Sequence, residues 1–215
     1  MTSSDDSKKK IETRILKLRG NLNGASWDKK EDLSMRIKYL ESLLNEYRKE
    51  DRLREPKVFI SFSGEIGYKL MKQAHNSLRQ TESFPGRPNF GVETGMKASG
   101  SPIVLDNITA HMEPCCLFLG ILTKEYDLST EDNEGNRGAP GAWVLYEAGM
   151  AISLGLRCVL LVESGIHKKF WFEVVGRWRQ AKFEIHAFDA VFRFAVELLK
   201  EHYNEFLQST RLFRQ

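Results

Sequence analysis

The chain has 215 residues, 41% hydrophobic and 28% charged, a length and balance that suit one substantial globular domain with an appendage. No apolar run reaches the roughly 18–20 residues needed to cross a bilayer, and the opening "MTSSDDSKKK" lacks the apolar core of a secretion signal, so a cytoplasmic protein with no membrane partner is expected. The formal charge of +3 resides in residues 1–56, with 14 Lys/Arg against 11 Asp/Glu, while residues 57–215 balance at 18 and 18 and leave no charge footprint for nucleic acid.

Residues 1–10 are polar and charged and are expected to be disordered. Ile11, Ile15, Leu18 and Leu22 then recur at helical steps, and "GNLNGAS" breaks the helix they imply. Asp28 and Glu31, spaced as in a capping box, introduce a second helix. Its seam of Leu33, Ile37, Leu40, Leu44 and Tyr47 fits a helical hairpin or coiled coil over 11–55. That seam either packs on the main domain or drives self-association. Pro56 closes the segment.

From residue 57 the pattern becomes that of an α/β domain. "KVFISFSG" reads as a strand and is followed by a helix from about 65 to 79. A Pro/Gly-rich passage leads to a helix near 103–113, with the strand "CCLFLGILT" after it. The loop 124–138 carries five Asp/Glu and is either a lid or a solvated surface insertion. Beyond it come the helix of "GAPGAWVLYEAGMAISLG", the strand "RCVLLVES", a helix over 168–180, a last strand "KFEIHAF" and a C-terminal amphipathic helix. The basic and aromatic residues of 168–180 are assigned to the stripes of that helix rather than to nucleic-acid stacking. Strands alternating with helices predict a five-stranded parallel sheet covered on both faces, with ligands at the carboxyl rim. Cys115, Cys116 and Cys158 sit in or beside apolar runs and read as reduced core residues; His111 reads as structural, and no metal site is expected.

Two stretches carry a family resemblance. "VFISFSGE" (58–65) resembles the first strand and loop of a TIR (Toll/interleukin-1 receptor) domain, and "WVLYE" (143–147) matches the W-x-x-x-E pattern of the NAD-cleaving bacterial members. The order of elements from 57 to about 207 is similar to that family, although 89–101 departs from its second strand. The resemblance implies a flavodoxin-like TIR domain over 57–215 that uses NAD as substrate and needs no cofactor. It further implies assembly into homo-oligomers through the TIR domain and the N-terminal helices. A role in anti-phage defence is implied as well, with an ADP-ribose product sensed by a downstream effector.

Glu147, alone among apolar neighbours, has two readings. It is a structural carboxylate paired with Arg157 or Arg137, since buried carboxylates need partners, or it is the catalytic group that the resemblance implies. Nicotinamide leaves NAD from a cationic ring without protonation, so one carboxylate that stabilises the developing ribosyl cation suffices, where ordinary glycoside hydrolysis needs two. Ser63, Gly64 and Glu65 are candidates for contact with phosphate or ribose, or else form a plain strand-to-helix turn. Phe62 is a candidate to stack on a base, or is core. Trp143 shares the Glu147 face and either binds substrate or sets the helix against the sheet. Gly95, Ser99 and Gly100 are candidates for a gating loop. Two rival functions remain at this point: a non-enzymatic TIR adaptor, and an enzyme similar to nucleoside deoxyribosyltransferases.

Overall fold

The computed structural model describes residues 3–83, 89–95, 104–170 and 178–212. Two compact units divide the chain, residues 1–54 and 55–215.

The first unit is a helical hairpin. Helix α1 (Ser3–Leu22) and helix α2 (Trp27–Arg54) are joined by four residues. The helix begins well ahead of the apolar repeat, over residues expected to be disordered. Local bonds support its first turns: Lys10 pairs with Asp6 at 2.8 Å, and the Thr13 hydroxyl donates to the Lys9 carbonyl at 2.8 Å. The second helix also starts two residues earlier than the Asp28 capping box implies. The Ser26 carbonyl accepts from Lys30 N–H at 2.9 Å, which puts Ser26 at the N-cap position. The predicted seam faces the other helix of the hairpin: Ile37, Leu40 and Leu44 are buried with Ile15, flanked by Ile11 and Leu18. Leu16, Met35 and Tyr39 stay exposed.

The second unit is an α/β domain. Strands β1 (Lys57–Phe62), β2 (Gly91–Thr94) and β3 (Leu117–Leu122) lie in one sheet, apart from a short ribbon of β4 (Lys124–Asp127) and β5 (Gly138–Pro140). Strands β6 (Arg157–Glu163) and β7 (Trp178–Phe183) complete the main sheet in the order β2-β1-β3-β6-β7, with every pairing parallel. Counting only its own strands, that is the 2-1-3-4-5 order of doubly wound, flavodoxin-like sheets. Helices α3 (Gly64–Arg79) and α6 (Phe188–Leu212) bury Leu70, Leu78, Phe192 and Leu199 against one face of the sheet. Helices α4 (Val104–Met112) and α5 (Ala142–Ser153) bury Ile108, Met112, Val144 and Ala148 against the other. The central strand β3, "LFLGIL", is buried at all six positions, as a strand covered on both faces requires.

Two expectations along this unit are corrected. The last strand is Trp178–Phe183, not "KFEIHAF", so residues 178–180, expected to end a helix, are strand; residues 185–187 form a 3-10 turn instead. Register explains the shift, because β7 matches β6 from Cys158↔Trp178 to Glu163↔Phe183. An edge strand also tolerates Arg179, Gln180 and Lys182, which hid it among polar residues. Of the predicted helix, Lys168–Phe170 is a single 3-10 turn and 171–177 lie outside the described residues.

The acidic stretch 124–138, expected as a lid or a solvated surface insertion, has internal structure. Its ends pair as the antiparallel ribbon β4–β5. Its turn is organised by Asp132, which accepts from the backbone N–H groups of Glu134, Asn136 and Lys168 at 2.9–3.0 Å. Those bonds hold the Asp132 carboxyl well below the usual carboxylate range despite the opposing effect of desolvation. No helix among the described residues is long and apolar enough to cross a membrane.

Candidate functional site

A cleft of about 590 Å³ opens at the carboxyl ends of β1 and β3, where the strand order reverses. Strand β1 and its turn contribute Ile60, Phe62, Ser63 and Gly64, and β4 contributes Glu125 and Tyr126. Gly141, Ala142, Trp143 and Glu147 line it from the start of α5, and Gly95 closes the side beyond β2.

The local sequence places Glu147 in this cleft. Helix α5 begins after Gly141, whose extended backbone (φ −60°, ψ 138°) serves as the N-cap. Val144, Ala148 and Ala151 bury one side of the helix against the sheet, and Glu147 falls on the edge of that stripe. It is only 2% exposed. Neither arginine proposed as its structural partner reaches it: Arg157 pairs with Glu205, and Arg137 with Glu131 at 3.6 Å. Its bond comes instead from Ser61, also buried, whose hydroxyl donates to Glu147 Oε2. Burial pushes the Glu147 carboxyl up to about 7, against the opposing pull of the Ser61 hydroxyl and the Trp143 indole. The other carboxylate oxygen faces Gly95, where a Cβ would stand 2.7 Å from Oε1, so a side chain there would push the carboxylate aside.

The remaining predicted residues divide. Ser63, Gly64, Phe62, Gly95 and Trp143 are brought together with Glu147. Gly64 turns the chain from β1 into α3 at φ +67°, a left-handed conformation that favours glycine. Phe62 is half-buried and lies against Tyr68, with ring centroids 5.9 Å apart. Trp143 is not the packing residue that one reading proposed: it is 43% exposed and stacks on Tyr146 at 5.7 Å beside the cleft. Glu65 does not line the cleft; it faces solvent and pairs with Lys69 at 2.7 Å. Ser63 occupies the N-cap position of α3 but makes no side-chain capping bond. Ser99 and Gly100 lie outside the described residues.

Among the polar and aromatic residues of the site, the sequence reading missed Ser61, which bonds Glu147, and the cleft-lining Glu125 and Tyr126. A serine on the inward face of an otherwise apolar strand was the available signal for Ser61. For Glu125 it was the position just beyond the end of β3, on the same carboxyl rim as Ser63. Ser63 Oγ and Glu125 Oε1 are both buried and have no hydrogen-bond partner among the described residues. The arrangement therefore offers one buried carboxylate held by a hydroxyl, a second carboxylate nearby and an exposed indole.

Nothing among the described residues groups three or more His, Cys, Asp or Glu side chains as a metal site would. Cys115, Cys116 and Cys158 are buried thiols outside any disulfide, and burial pushes the Cys158 thiol up to about 12, far from a reactive thiolate. His111 pairs with Glu93 at 3.3 Å. Comparison with known proteins finds no family model that matches the chain and no matching curated protein.

Proposed function

We propose that this chain is a TIR-type NAD nucleosidase that breaks the nicotinamide–ribose bond. Nicotinamide is one product, and ADP-ribose, or a cyclic or conjugated form of it, is the other. The observation that carries this reading is Glu147: a carboxylate buried without a cationic partner among the described residues, held by a serine hydroxyl, at the switch-point cleft of a parallel α/β sheet. A purely structural carboxylate in that setting would cost stability with no return.

The chemistry follows from the charge of the substrate. NAD presents a cationic pyridinium, and a cation next to Glu147 favours the ionised carboxylate, offsetting the desolvation that otherwise raises its pKa. As the C–N bond lengthens, positive charge passes from the ring to the ribosyl carbon, and a preorganised carboxylate stabilises it there. Nicotinamide departs neutral with the bonding electron pair and takes up no proton. The ribosyl cation is then captured by water, giving ADP-ribose, or by another nucleophile, giving a cyclic or conjugated product. Trp143 supplies an aromatic face at the entrance, and Phe62 lines the β1 side.

Self-assembly through the TIR domain and the N-terminal hairpin belongs to the same proposal, as does a role in anti-phage defence through an effector that reads the product. Incubating concentrated full-length protein with NAD, and separately with deoxynucleosides, and resolving products by mass spectrometry tests it. Release of nicotinamide from NAD alone is expected. Turnover of deoxynucleosides with NAD untouched would replace the proposal with a deoxyribosyltransferase.

A further inference from the structure

Ser63 Oγ and Glu125 Oε1 remain unexplained by the chemistry above. Buried polar atoms without partners cost stability, and these two flank the same backbone. A Cβ on Gly141 would stand 2.6 Å from Ser63 Oγ and 2.8 Å from Glu125 Oε2, and one on Gly64 would stand 3.0 Å from Glu125 Oε1. The chain keeps glycine at both places, and the hydroxyl and the carboxylate occupy the space a side chain would fill.

Their chemistry defines the group that would satisfy both. A carboxylate only accepts, whereas a serine hydroxyl can donate. A primary carboxamide answers the pair, with its N–H₂ given to Glu125 and its carbonyl taking the Ser63 proton. A carboxylic acid in the same place would bring two carboxylates together, an arrangement that disfavours ionisation of both.

Position agrees with this. Ser61, which holds Glu147, and Ser63 lie two residues apart, on one face of β1 or its immediate extension. Two strand steps separate them by about 7 Å. That distance suits a pyridine ring with its ribosyl bond near Glu147 and its 3-substituent near Ser63. Tyr126 and Trp143 line the same cleft and give aromatic surface for such a ring.

We infer that Ser63 and Glu125 form a carboxamide clamp that selects nicotinamide-bearing over nicotinate-bearing dinucleotides. The inference rests on the NAD reading above and assigns Glu125 as its specificity-determining residue.

The test uses the full chain and two readouts. Cleavage of NAD and of nicotinic acid adenine dinucleotide is compared in wild type, Glu125→Gln and Ser63→Ala. Binding of free nicotinamide and free nicotinate is measured by calorimetry on the same proteins, with circular dichroism confirming that each variant folds. Wild type should favour NAD in kcat/KM by on the order of tenfold to a hundredfold, the range for one hydrogen bond to a charged group. Glu125→Gln, whose amide can donate to a carboxylate, should erase or invert that preference. Ser63→Ala should weaken nicotinamide binding without admitting nicotinate. An unchanged preference in Glu125→Gln overturns the clamp and leaves the nucleosidase standing. Binding of nicotinamide that depends on Glu125, without cleavage of NAD, upholds the clamp and removes the nucleosidase; binding of neither free ligand, with no NAD cleavage, overturns both.

Discussion

Replacing Glu147 by glutamine should stabilise the protein at alkaline pH while abolishing its proposed activity. Glu147 has a carboxyl pKa raised from 4.5 to about 7, with burial as the main cause. A group whose folded pKa lies above its unfolded value contributes most below the unfolded value. Here that contribution is complete below pH 4.5 and is lost as pH rises through 7, because the folded chain must then hold a desolvated charge that water would solvate. The separation of the two values corresponds to about 3 kcal/mol at pH 8. Glutamine keeps the shape and an oxygen for the Ser61 hydroxyl but does not titrate. Urea unfolding followed by tryptophan fluorescence should therefore show the variant more stable than wild type at pH 8, with a midpoint raised by about 1–2 M at usual urea slopes. The gap should close by pH 4.5. A difference that stays constant across this range, or a variant less stable at pH 8, would refute the assignment of a buried, desolvated carboxylate.

Other consequences can be checked separately. If ionised Glu147 is the working form, kcat/KM for NAD should climb about tenfold per pH unit up to about pH 7 and then level off; a fall with rising pH would make it a proton donor instead. Gly141→Ala should cut activity by on the order of tenfold or more, since its Cβ would collide with Ser63 Oγ and the Glu125 carboxylate, and kinetics beside a melting curve would separate this from loss of fold. His202 is buried on α6 with its Nδ1 3.6 Å from the Glu205 carboxylate, and desolvation holds its pKa below the usual value against the opposing pull of Glu205. The unfolded chain takes the proton first, so stability attributable to this residue is present above pH 6.5 and declines as pH falls. His202→Leu should flatten that decline in denaturation measured between pH 7 and 5.

How much of this was legible in the sequence varies element by element. Strands β3 and β6 are buried on both faces and so appear as apolar runs, which no surface helix would show, and β1 departs from that pattern inside its buried span only at Ser61. Glu147 announced itself by being the one charge in such a stretch. The edge strand β7 needs few apolar residues, and its Arg179, Gln180 and Lys182 made it resemble the polar face of a helix. The hairpin seam was visible, but its choice of partner was not, because α1 offers Ile15 and Leu18 at the same spacing that another surface could. Glu125 was hidden by its company: four other acids follow it before residue 135, and only the fold turns this one toward the cleft while Asp132 organises the turn beyond. Ser61 was passed over because a single hydroxyl in a strand carries no signal until the residue it bonds is known.

Nicotinamide release is the most direct test of the central claim. Wild-type protein and Glu147→Gln, both full length, concentrated and with crowding agent, would be incubated with NAD at pH 8 and the products resolved by chromatography and mass spectrometry. Wild type should release nicotinamide and form an ADP-ribose product. The folded variant should lose a hundredfold or more of that activity, the scale for removal of a preorganised transition-state group. Equal release by both proteins, or none from wild type even when clustered, would contradict the claim.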